Sequence, residues 1–229
     1  GIDRNGCHNP VHFISWGSGQ NALYAYLSMP FISLFDLNPF SVRILNALLG
    51  CLSLVIFYLL VKKIWDEDTG IIALFLLTIS PWHIMMSRWG LESNIFPFFI
   101  LMGSYLLLLS LERSSFLPLS FLVFAISLYS YGTAYFFVPV FLLVISLYLI
   151  FYKKIKITTF LLSGGVFLIV ALPILLFVVI NIFQLNSIQT SWFSIPRLPA
   201  APRFSAVSSI FGSQFITNSI YNLGNFLWL

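Results

Sequence analysis

The chain has 229 residues, of which 59% are hydrophobic and 8% are charged, and its mean hydropathy is +0.98. Since a soluble domain carries about 25% charged residues, this composition excludes an ordinary soluble fold and predicts a polytopic membrane protein. The formal charge of +4 therefore reports on membrane topology, and we expect no nucleic acid partner. Two cysteines do not make a disulfide framework.

Residues 1–40 are predicted to form an outer loop. Within it, residues 19–35 read "GQNALYAYLSMPFISLF", an apolar and aromatic stretch that Pro30 interrupts. A helix that lies in the membrane interface fits this stretch better than a spanning helix. The chain begins with Gly1 rather than methionine and ends in the apolar "NFLWL", which favours a fragment of a longer protein.

The polar start of this loop contains three residues that could carry chemistry. Asp3 stands in "GIDRNG", a pattern typical of a turn, and the turn role is favoured over catalysis. His8 and His12 have helical spacing and could share a metal ion. No cysteine or carboxylate completes a known ligand pattern, so we predict no metal site.

Crossing a bilayer as a helix takes about 20 apolar residues. Six segments come near that length, and the fourth of them is short and meets the fifth at the turn "YSYGTAY". We therefore predict a membrane domain of about six helices over residues 41–183, and an outer loop with the start of a further segment over residues 184–229. Three prolines in "SIPRLPAAPRF" favour an extended path there. The six segments are residues 41–61, 70–86, 94–111, 116–131, 134–152 and 158–183.

Orientation follows from the parity of the helices. If residue 41 starts outside, all five lysines of the chain fall in the inside loops, as the positive-inside rule requires. The basic residues that remain outside are all arginines. The predicted inside loops are residues 62–69, 112–115 and 153–157, and the outside arginines are Arg4, Arg43, Arg88, Arg197 and Arg203.

The segment "SRWGLESN" places Arg88 and Glu92 between two uncharged apolar runs, at the predicted outer face. One interpretation is an ion pair four residues apart that caps a helical hairpin. The other is a cavity at the membrane surface, where Arg88 binds a phosphate through its planar fork and Glu92 orients a hydroxyl or a cation. Pro81 and Gly90 break the helices nearby, which lets such groups turn inward.

Three further residues have two interpretations each. Arg43 is either an interfacial anchor or a second cation for a lipid phosphate. Tyr131 belongs to an aromatic cluster that fits a membrane belt or a surface on which sugars stack. His83, beside a tryptophan, is more typical of an interfacial side chain than of a catalyst.

The residues also resemble a known family. "GIDRNGCHNPVHFISWGSGQNALYAYLSMPFISLFDLNPFSVRILNALLG" is similar to the first outer loop and following helix of bacterial membrane glycosyltransferases of the family-39-like type. These enzymes are related to protein O-mannosyltransferases and to the aminoarabinose transferase of lipid A. "LTISPWHIMMSRWGLESNIFPFF" resembles their next hairpin, and "LYSYGTAYFFVPVF" and "SIPRLPAAPRF" resemble later elements.

This resemblance implies an all-α, polytopic helix bundle of the GT-C type, with an interfacial helix in the first outer loop. It implies a polyprenyl-phosphate-linked sugar donor, a protein, lipid or glycan acceptor, and inversion at the anomeric carbon. No cofactor is implied, and the need for a divalent metal stays open, although none is indicated. The implied location is the plasma membrane, with the active face extracytoplasmic.

The resemblance also suggests roles for individual residues. Glu92 and Asp3 are the catalytic candidates, although the main base of the family is expected upstream of Gly1. Where many relatives carry Lys-Pro-Pro, this chain reads "SGQNALYAY", so Gln20 brings a hydrogen bond without a charge. The predicted substrate-binding residues are Arg88, Arg43, Tyr24, Gln20, Tyr131 and His83.

Two other classes stay open. A membrane transporter or lipid flippase would also show outer arginines and broken helices, although transporters place polar groups near the midplane. A non-catalytic membrane scaffold is the third hypothesis.

Overall fold

The computed structural model describes residues 6, 8–15, 18–151, 156–190 and 192–198. Within these ranges the fold is all-α, and the strands form only two two-stranded ribbons, so the predicted fold class is confirmed. The helices are α1 (Leu23–Phe35), α2 (Pro39–Ile64), α3 (Glu67–Thr78), α4 (Pro81–Arg88), α5 (Phe96–Ser110), α6 (Phe116–Ser127), α7 (Ala134–Phe151) and α8 (Ile157–Ile182), with a 3₁₀ turn at Glu92–Ile95. The strands are β1 (His12–Ser15), β2 (Ser18–Asn21), β3 (Ile188–Gln189) and β4 (Ser194–Ile195).

Length and composition show how many of these helices can cross a membrane. Among the described residues, four segments qualify, and a fifth is gained if the bent pair α3 and α4 counts as one span. The helix α6 has only 12 residues, about 18 Å against a hydrocarbon core of about 30 Å. The chain is therefore a multi-pass membrane protein, and its described residues contain four or five segments long enough to cross a membrane. The four are α2, Glu92–Ser110, α7 and α8.

The segment predicted over residues 70–86 consists of two helices, and the break falls before Pro81, one of the two residues expected to break helices here. The helix α3 ends at Thr78, α4 begins at Pro81, and the two are bent by 61°. Ser80 has an extended backbone, with φ −65° and ψ 117°. A residue before proline is pushed out of the helical region, and proline has no N–H for the preceding turn, so the break falls there.

The start of α2 is fixed by a side-chain cap. Asn38 Oδ1 accepts from the backbone N–H groups of Phe40 and Ser41, both at 2.9 Å, and Ser41 Oγ accepts from the Asn38 backbone N–H. Pro39 occupies the first helical position, where its missing N–H costs nothing. The helix thus begins before residue 41, which places Arg43 in its second turn.

The chain divides into two compact units, of which residues 21–175 are the larger. In this unit Lys63, at the end of α2, pairs with Glu112, after α5. Near the start of α2, Asn46 donates to the carbonyls of Trp89 and Leu91. The predicted inside loops 62–69 and 112–115 therefore lie at one end, here called the lysine end.

The opposite end of this unit gathers the segments predicted to lie outside. The Leu23 N–H donates to the Tyr129 carbonyl at 3.2 Å, and the Tyr24 hydroxyl donates to the Val42 carbonyl. Together with the contacts of Asn46, these bonds bring four segments to one end of the bundle. The arginine end comprises residues 21–24, 42–46, 88–95 and 129–135.

The smaller unit comprises residues 1–20 and 176–229, of which only part is described. His12 is buried there and stacks on Phe177, with 4.3 Å between ring centroids. Strands β3 and β4 pair antiparallel. The expected extended path holds at Ser194–Ile195, while Pro199 and Pro202 lie outside the described residues.

Candidate functional site

The short helix α4 separates two cavities at the arginine end. Its residues Pro81, Ile84, Met85 and Arg88 line one cavity. Its residues Trp82, His83, Met86 and Ser87 line the other. Positions three and four apart share one face of a helix, so each cavity takes one face of α4.

The first cavity, here called the cationic cavity, has a volume of about 420 Å³. Arg43 comes to it from α2 and Arg88 from the end of α4. The rest of its wall is apolar and aromatic, formed by Pro81, Ile84, Met85 and Trp89. Two predicted substrate-binding residues are thereby brought together, beside a surface that suits a hydrocarbon chain.

Neither arginine of this cavity forms an ion pair within the described ranges, where the ion pairs are those of Lys62 with Glu67 and Lys63 with Glu112. The pair of Arg88 with Glu92, one of the two interpretations of the sequence, is not formed. Residues Trp89 and Leu91 have extended backbones, with ψ 125° and 143°, so Arg88 and Glu92 do not share a helical face. The hydrogen-bond donors of the two guanidinium groups are therefore available to an anionic ligand.

Glu92 lies in a separate hydrogen-bond network. It opens the 3₁₀ turn, is half-buried, and its Oε1 accepts from Asn21 Nδ2 at 3.5 Å. Asn21 Oδ1 accepts in turn from the Tyr135 hydroxyl at 2.5 Å. The buried Asn21 side chain therefore bridges the carboxylate and the tyrosine, and holds Glu92 at the arginine end.

The second cavity, here called the neutral cavity, has a volume of about 340 Å³. It brings together His83 and Tyr131, two more of the predicted binding residues. Its other polar residues carry amide and hydroxyl groups, and its lining contains no Asp, Glu, Lys or Arg. The lining residues are Asn46, Gly50, Ser53, Trp82, His83, Met86, Ser87, Ser93, Asn94, Phe96, Pro97 and Tyr131.

Three tyrosines of the turn before α7 have different roles. The Tyr129 hydroxyl donates to the Val170 carbonyl at 2.6 Å, and burial raises the pKa of Tyr129 to about 12. Tyr135 joins Asn21, and Tyr131 is exposed at the neutral cavity. Of the three, Tyr131 alone lines a cavity with its ring open to a ligand.

The remaining predicted residues lie elsewhere. Tyr24 is buried in a cluster with Leu45 and Ile95, and its hydroxyl donates to the Val42 carbonyl, so the structure gives it a role in packing. Gln20 is exposed in β2 and belongs to the other compact unit. Asp3 lies outside the described residues, and in the described part of the chain no cluster of His, Cys, Asp and Glu is placed to hold a metal ion.

Sequence reasoning missed Asn46 as a residue of this end. It lies in the apolar helix α2, is 2% exposed, and donates its side-chain amide to the Trp89 and Leu91 carbonyls. An asparagine inside a spanning segment is itself a signal, because polar groups at membrane depth are costly and mark sites or contacts.

Together, the helix bundle, the cationic cavity and the adjacent neutral cavity define a multi-pass membrane protein with two cavities at one end. Residues 21–179 match the family model described as "Dolichyl-phosphate-mannose-protein mannosyltransferase". The match covers most of the chain, which therefore belongs to this family of GT-C membrane glycosyltransferases. No curated protein and no solved structure matched the chain.

Proposed function

We propose that the chain acts in sugar transfer from a polyprenyl-phosphate-linked donor to an acceptor at the outer face of the plasma membrane, with inversion at the anomeric carbon. The observation that carries this proposal is the cationic cavity, where Arg43 and Arg88 line one wall with Ile84, Met85 and Trp89. A phosphate on a hydrocarbon chain needs both features at once.

The two guanidinium groups match the charge that the reaction releases. When the bond between the sugar and the phosphate breaks, negative charge grows on the leaving lipid phosphate. Arginine donors held beside this position stabilise the charge without a large reorganisation. Their planar forks also fit a phosphate better than an ammonium group does.

The charge distribution supports the outer face for this chemistry. Lys62 and Lys63 lie at the lysine end with Arg113, and basic residues of loops favour the cytoplasmic side. The arginine end lies at the opposite end of the same helices. We therefore assign the cationic cavity to the extracytoplasmic side, where the acceptor arrives.

Glu92 is proposed to orient the acceptor. Its carboxylate is held by Asn21, and Asn21 is held by Tyr135. A carboxylate fixed in this way can accept a hydrogen bond from an acceptor hydroxyl and align it for attack on the sugar carbon. The acceptor class that this arrangement supports is a hydroxyl on a protein, lipid or glycan.

The test is binding of polyprenyl phosphate to the full-length protein in lipid nanodiscs. We expect Arg43→Ala and Arg88→Ala each to weaken binding by tenfold or more, because a charge-assisted bond to phosphate is lost. Arg88→Lys keeps the charge but loses the fork, so its affinity falls in between. Arg113→Ala, an exposed arginine at the lysine end, is the matched control.

Polyprenol without phosphate serves as the control ligand, because its binding does not depend on either arginine. Sugar transfer is then measured with the same variants. Equal affinity of the wild type and of the Arg43→Ala and Arg88→Ala proteins for polyprenyl phosphate would contradict the proposal. Passage of a lipid or solute across vesicles without any sugar transfer would favour a transporter instead.

A further inference from the structure

We propose that the neutral cavity binds a primary ammonium group, carried by a lipid headgroup or by a small soluble amine. The wall of the cavity carries this proposal, because its amide and serine side chains have spent their donors inside the protein, and aromatic rings line the rest of it. The site goes beyond the proposed function and does not depend on it, because its test is the binding of a simple amine.

Two asparagines of the wall have used both of their amide hydrogens. Asn46 Nδ2 donates to the carbonyls of Trp89 and Leu91. Asn94 Nδ2 donates to the carbonyls of Met86 and Trp89. An asparagine side chain has two donor hydrogens and one acceptor oxygen, so the group that each of them can still offer to a ligand is its Oδ1.

The side-chain oxygen of Asn46 is an acceptor without a donor. The residue is 2% exposed and lines the cavity. Its Oδ1 is buried and has no hydrogen-bond partner among the described residues. A buried polar oxygen is disfavoured unless it accepts a hydrogen bond, so Asn46 favours a ligand that brings a donor.

Two serines add acceptors of the same kind. Ser53 Oγ donates to the Leu49 carbonyl at 2.8 Å, and Ser87 Oγ donates to the His83 carbonyl at 2.8 Å. A hydroxyl has one donor and two lone pairs, so each of these serines has spent its donor on its own helix. Both serines line the cavity, and what they can still offer to a ligand is an oxygen that accepts.

A primary ammonium group is the complement of such a wall. It has three N–H donors and no acceptor, so its hydrogens can be bonded and no lone pair is left buried. An alcohol hydroxyl also donates, but its own oxygen needs a donor in return, and these amides and serines have none left. A carboxylate or phosphate only accepts, so it is disfavoured on the same ground.

The aromatic residues of the wall favour a positive charge. Trp82, Phe96 and Tyr131 line the cavity, and the face of an aromatic ring attracts an ammonium group. Arg43 and Arg88 line the other cavity, so no Lys or Arg side chain forms part of this wall. The volume of about 340 Å³ is at the small end of the range for ligand pockets, which suits a headgroup of a few atoms.

Two ionisable residues affect the affinity for a cation. Glu92 opens the 3₁₀ turn whose residues Ser93 and Asn94 line the cavity, so its negative charge belongs to the same turn as the wall. His83 also lines the cavity and would repel the ligand if it were protonated. Binding is therefore measured at about pH 8, where a histidine side chain is neutral and a primary amine, like lysine, keeps its proton.

The first experiment measures the binding of ethanolamine to the full-length protein in phosphatidylcholine nanodiscs by calorimetry. Two comparison ligands are ethylene glycol, in which a hydroxyl replaces the ammonium group, and choline, whose ammonium group has no N–H donor. We expect ethanolamine to bind about tenfold more tightly than either of them. Equal affinity for ethanolamine and either comparison ligand would overturn the proposal.

The second experiment removes two acceptors of the wall. In the Ser53→Ala/Ser87→Ala variant, the affinity for ethanolamine should fall about tenfold, because two charge-assisted hydrogen bonds are lost. Ser163→Ala is the matched control, since Ser163 Oγ donates to the Thr159 carbonyl at 2.7 Å, the same kind of bond, but does not line the cavity. An unchanged Tm without ligand shows that the double variant is folded.

Tyr131 tests the contribution of the aromatic rings. Tyr131→Leu should lower the affinity for ethanolamine several-fold, whereas Tyr131→Phe keeps the ring and should keep most of the affinity. The side chain is exposed, so neither substitution is expected to unfold the protein, and Tyr148→Leu at an exposed position of α7 is the control. Unchanged ethanolamine affinity in both Tyr131→Leu and the double serine variant would overturn the proposal.

The two sources of the ammonium group are separated in nanodiscs of mixed lipids. A headgroup ligand predicts that phosphatidylethanolamine is retained on the protein in native mass spectrometry in preference to phosphatidylglycerol, and that it weakens the binding of ethanolamine. A soluble ligand predicts equal ethanolamine affinity with and without phosphatidylethanolamine. Either result supports the site, and binding of neither compound would overturn it. Unchanged polyprenyl phosphate binding in Arg43→Ala and Arg88→Ala would contradict the proposed function alone.

Discussion

Asn46 in α2 donates its side-chain amide to the main-chain carbonyl of Trp89, the residue that follows α4. This carbonyl belongs to an extended segment between two helices, and it also accepts from the Leu91 N–H at 2.9 Å and from Asn94 Nδ2 at 3.1 Å. Irregular backbone at membrane depth is stable only where protein groups satisfy it. The Asn46 side chain thus holds in place a segment that contributes to the walls of both cavities.

Asn46→Leu is expected to lower the thermal stability of the protein. The substitution leaves the Leu91 carbonyl without this donor, at a cost of about 1–3 kcal/mol. For a chain of this size, each kcal/mol corresponds to a few degrees in Tm. Thermal unfolding in detergent measures the shift. Asn186→Leu, at an exposed position, is the control, and equal Tm values for the two variants would contradict the role of Asn46.

Gly103→Val is expected to disrupt the contact between α5 and α6. A Cβ atom at residue 103 would lie 2.9 Å from the ring of Phe124, which is fully buried. Ser120 Oγ also donates to the Gly103 carbonyl at 2.8 Å, so the helices cannot separate without losing this bond. Overpacking of this kind costs about 1–3 kcal/mol. At Gly164 a Cβ atom meets nothing within 4 Å, so Gly164→Val should leave the Tm unchanged.

The assignment of the arginine end to the outside predicts a labelling pattern. In a background with Cys7→Ser and Cys51→Ser, a membrane-impermeant maleimide should label Thr133→Cys in intact cells. Arg113→Cys should be labelled only after the cells are opened. Both positions are exposed in turns, at opposite ends of the bundle. The reverse pattern would place the cationic cavity on the cytoplasmic side.

His12 predicts that the smaller unit loses stability in mild acid. Burial lowers the pKa of His12 from 6.5 to about 4, so the folded state disfavours the protonated ring. Between pH 6.5 and 4 the unfolded segment therefore binds more protons, and stability falls as the pH falls. The loss is at most about 3 kcal/mol.

Hydrogen exchange in residues 8–15 as a function of pH measures this loss. His12→Phe keeps the stack on Phe177 but cannot titrate, and it should flatten the pH dependence. A pH dependence of the same size in the His12→Phe protein would assign the effect to other groups.

Glu92→Gln is expected to lower kcat for sugar transfer by tenfold or more, with a smaller change in the KM for the lipid donor. The amide cannot supply the negative oxygen that aligns the acceptor hydroxyl, whereas donor binding depends on the two arginines. Glu112→Gln at the lysine end is the control. An unchanged kcat in Glu92→Gln protein would remove this carboxylate from the reaction.

Sequence reasoning predicted the helices well because long apolar runs leave few alternatives in a bilayer. It also predicted that Arg43 and Arg88 belong to one site, which the cationic cavity now brings together. It named Pro81 as a helix breaker, and the structure places the break at Ser80, where α3 and α4 are bent by 61°.

The sequence also left open whether Arg88 and Glu92 form an ion pair. Spacing alone predicts a shared face only if the helix continues, and here Trp89 and Leu91 are extended. Glu92 instead accepts from Asn21, which is distant in the sequence and is brought near only by the fold. Contacts of this kind depend on the packing of several helices, and the hydrophobic periodicity of the sequence does not predict that packing.

The position of α4 has a thermodynamic consequence. This helix of eight residues is a wall of both cavities, so a displacement that closes one of them reshapes the other. Ligands proposed for the two cavities would then be linked, and linkage is reciprocal: each ligand changes the affinity of the other by the same factor. A lipid phosphate that moves Arg88 would thereby change the affinity of the neutral cavity for its own ligand, and release of the lipid phosphate would reverse the change.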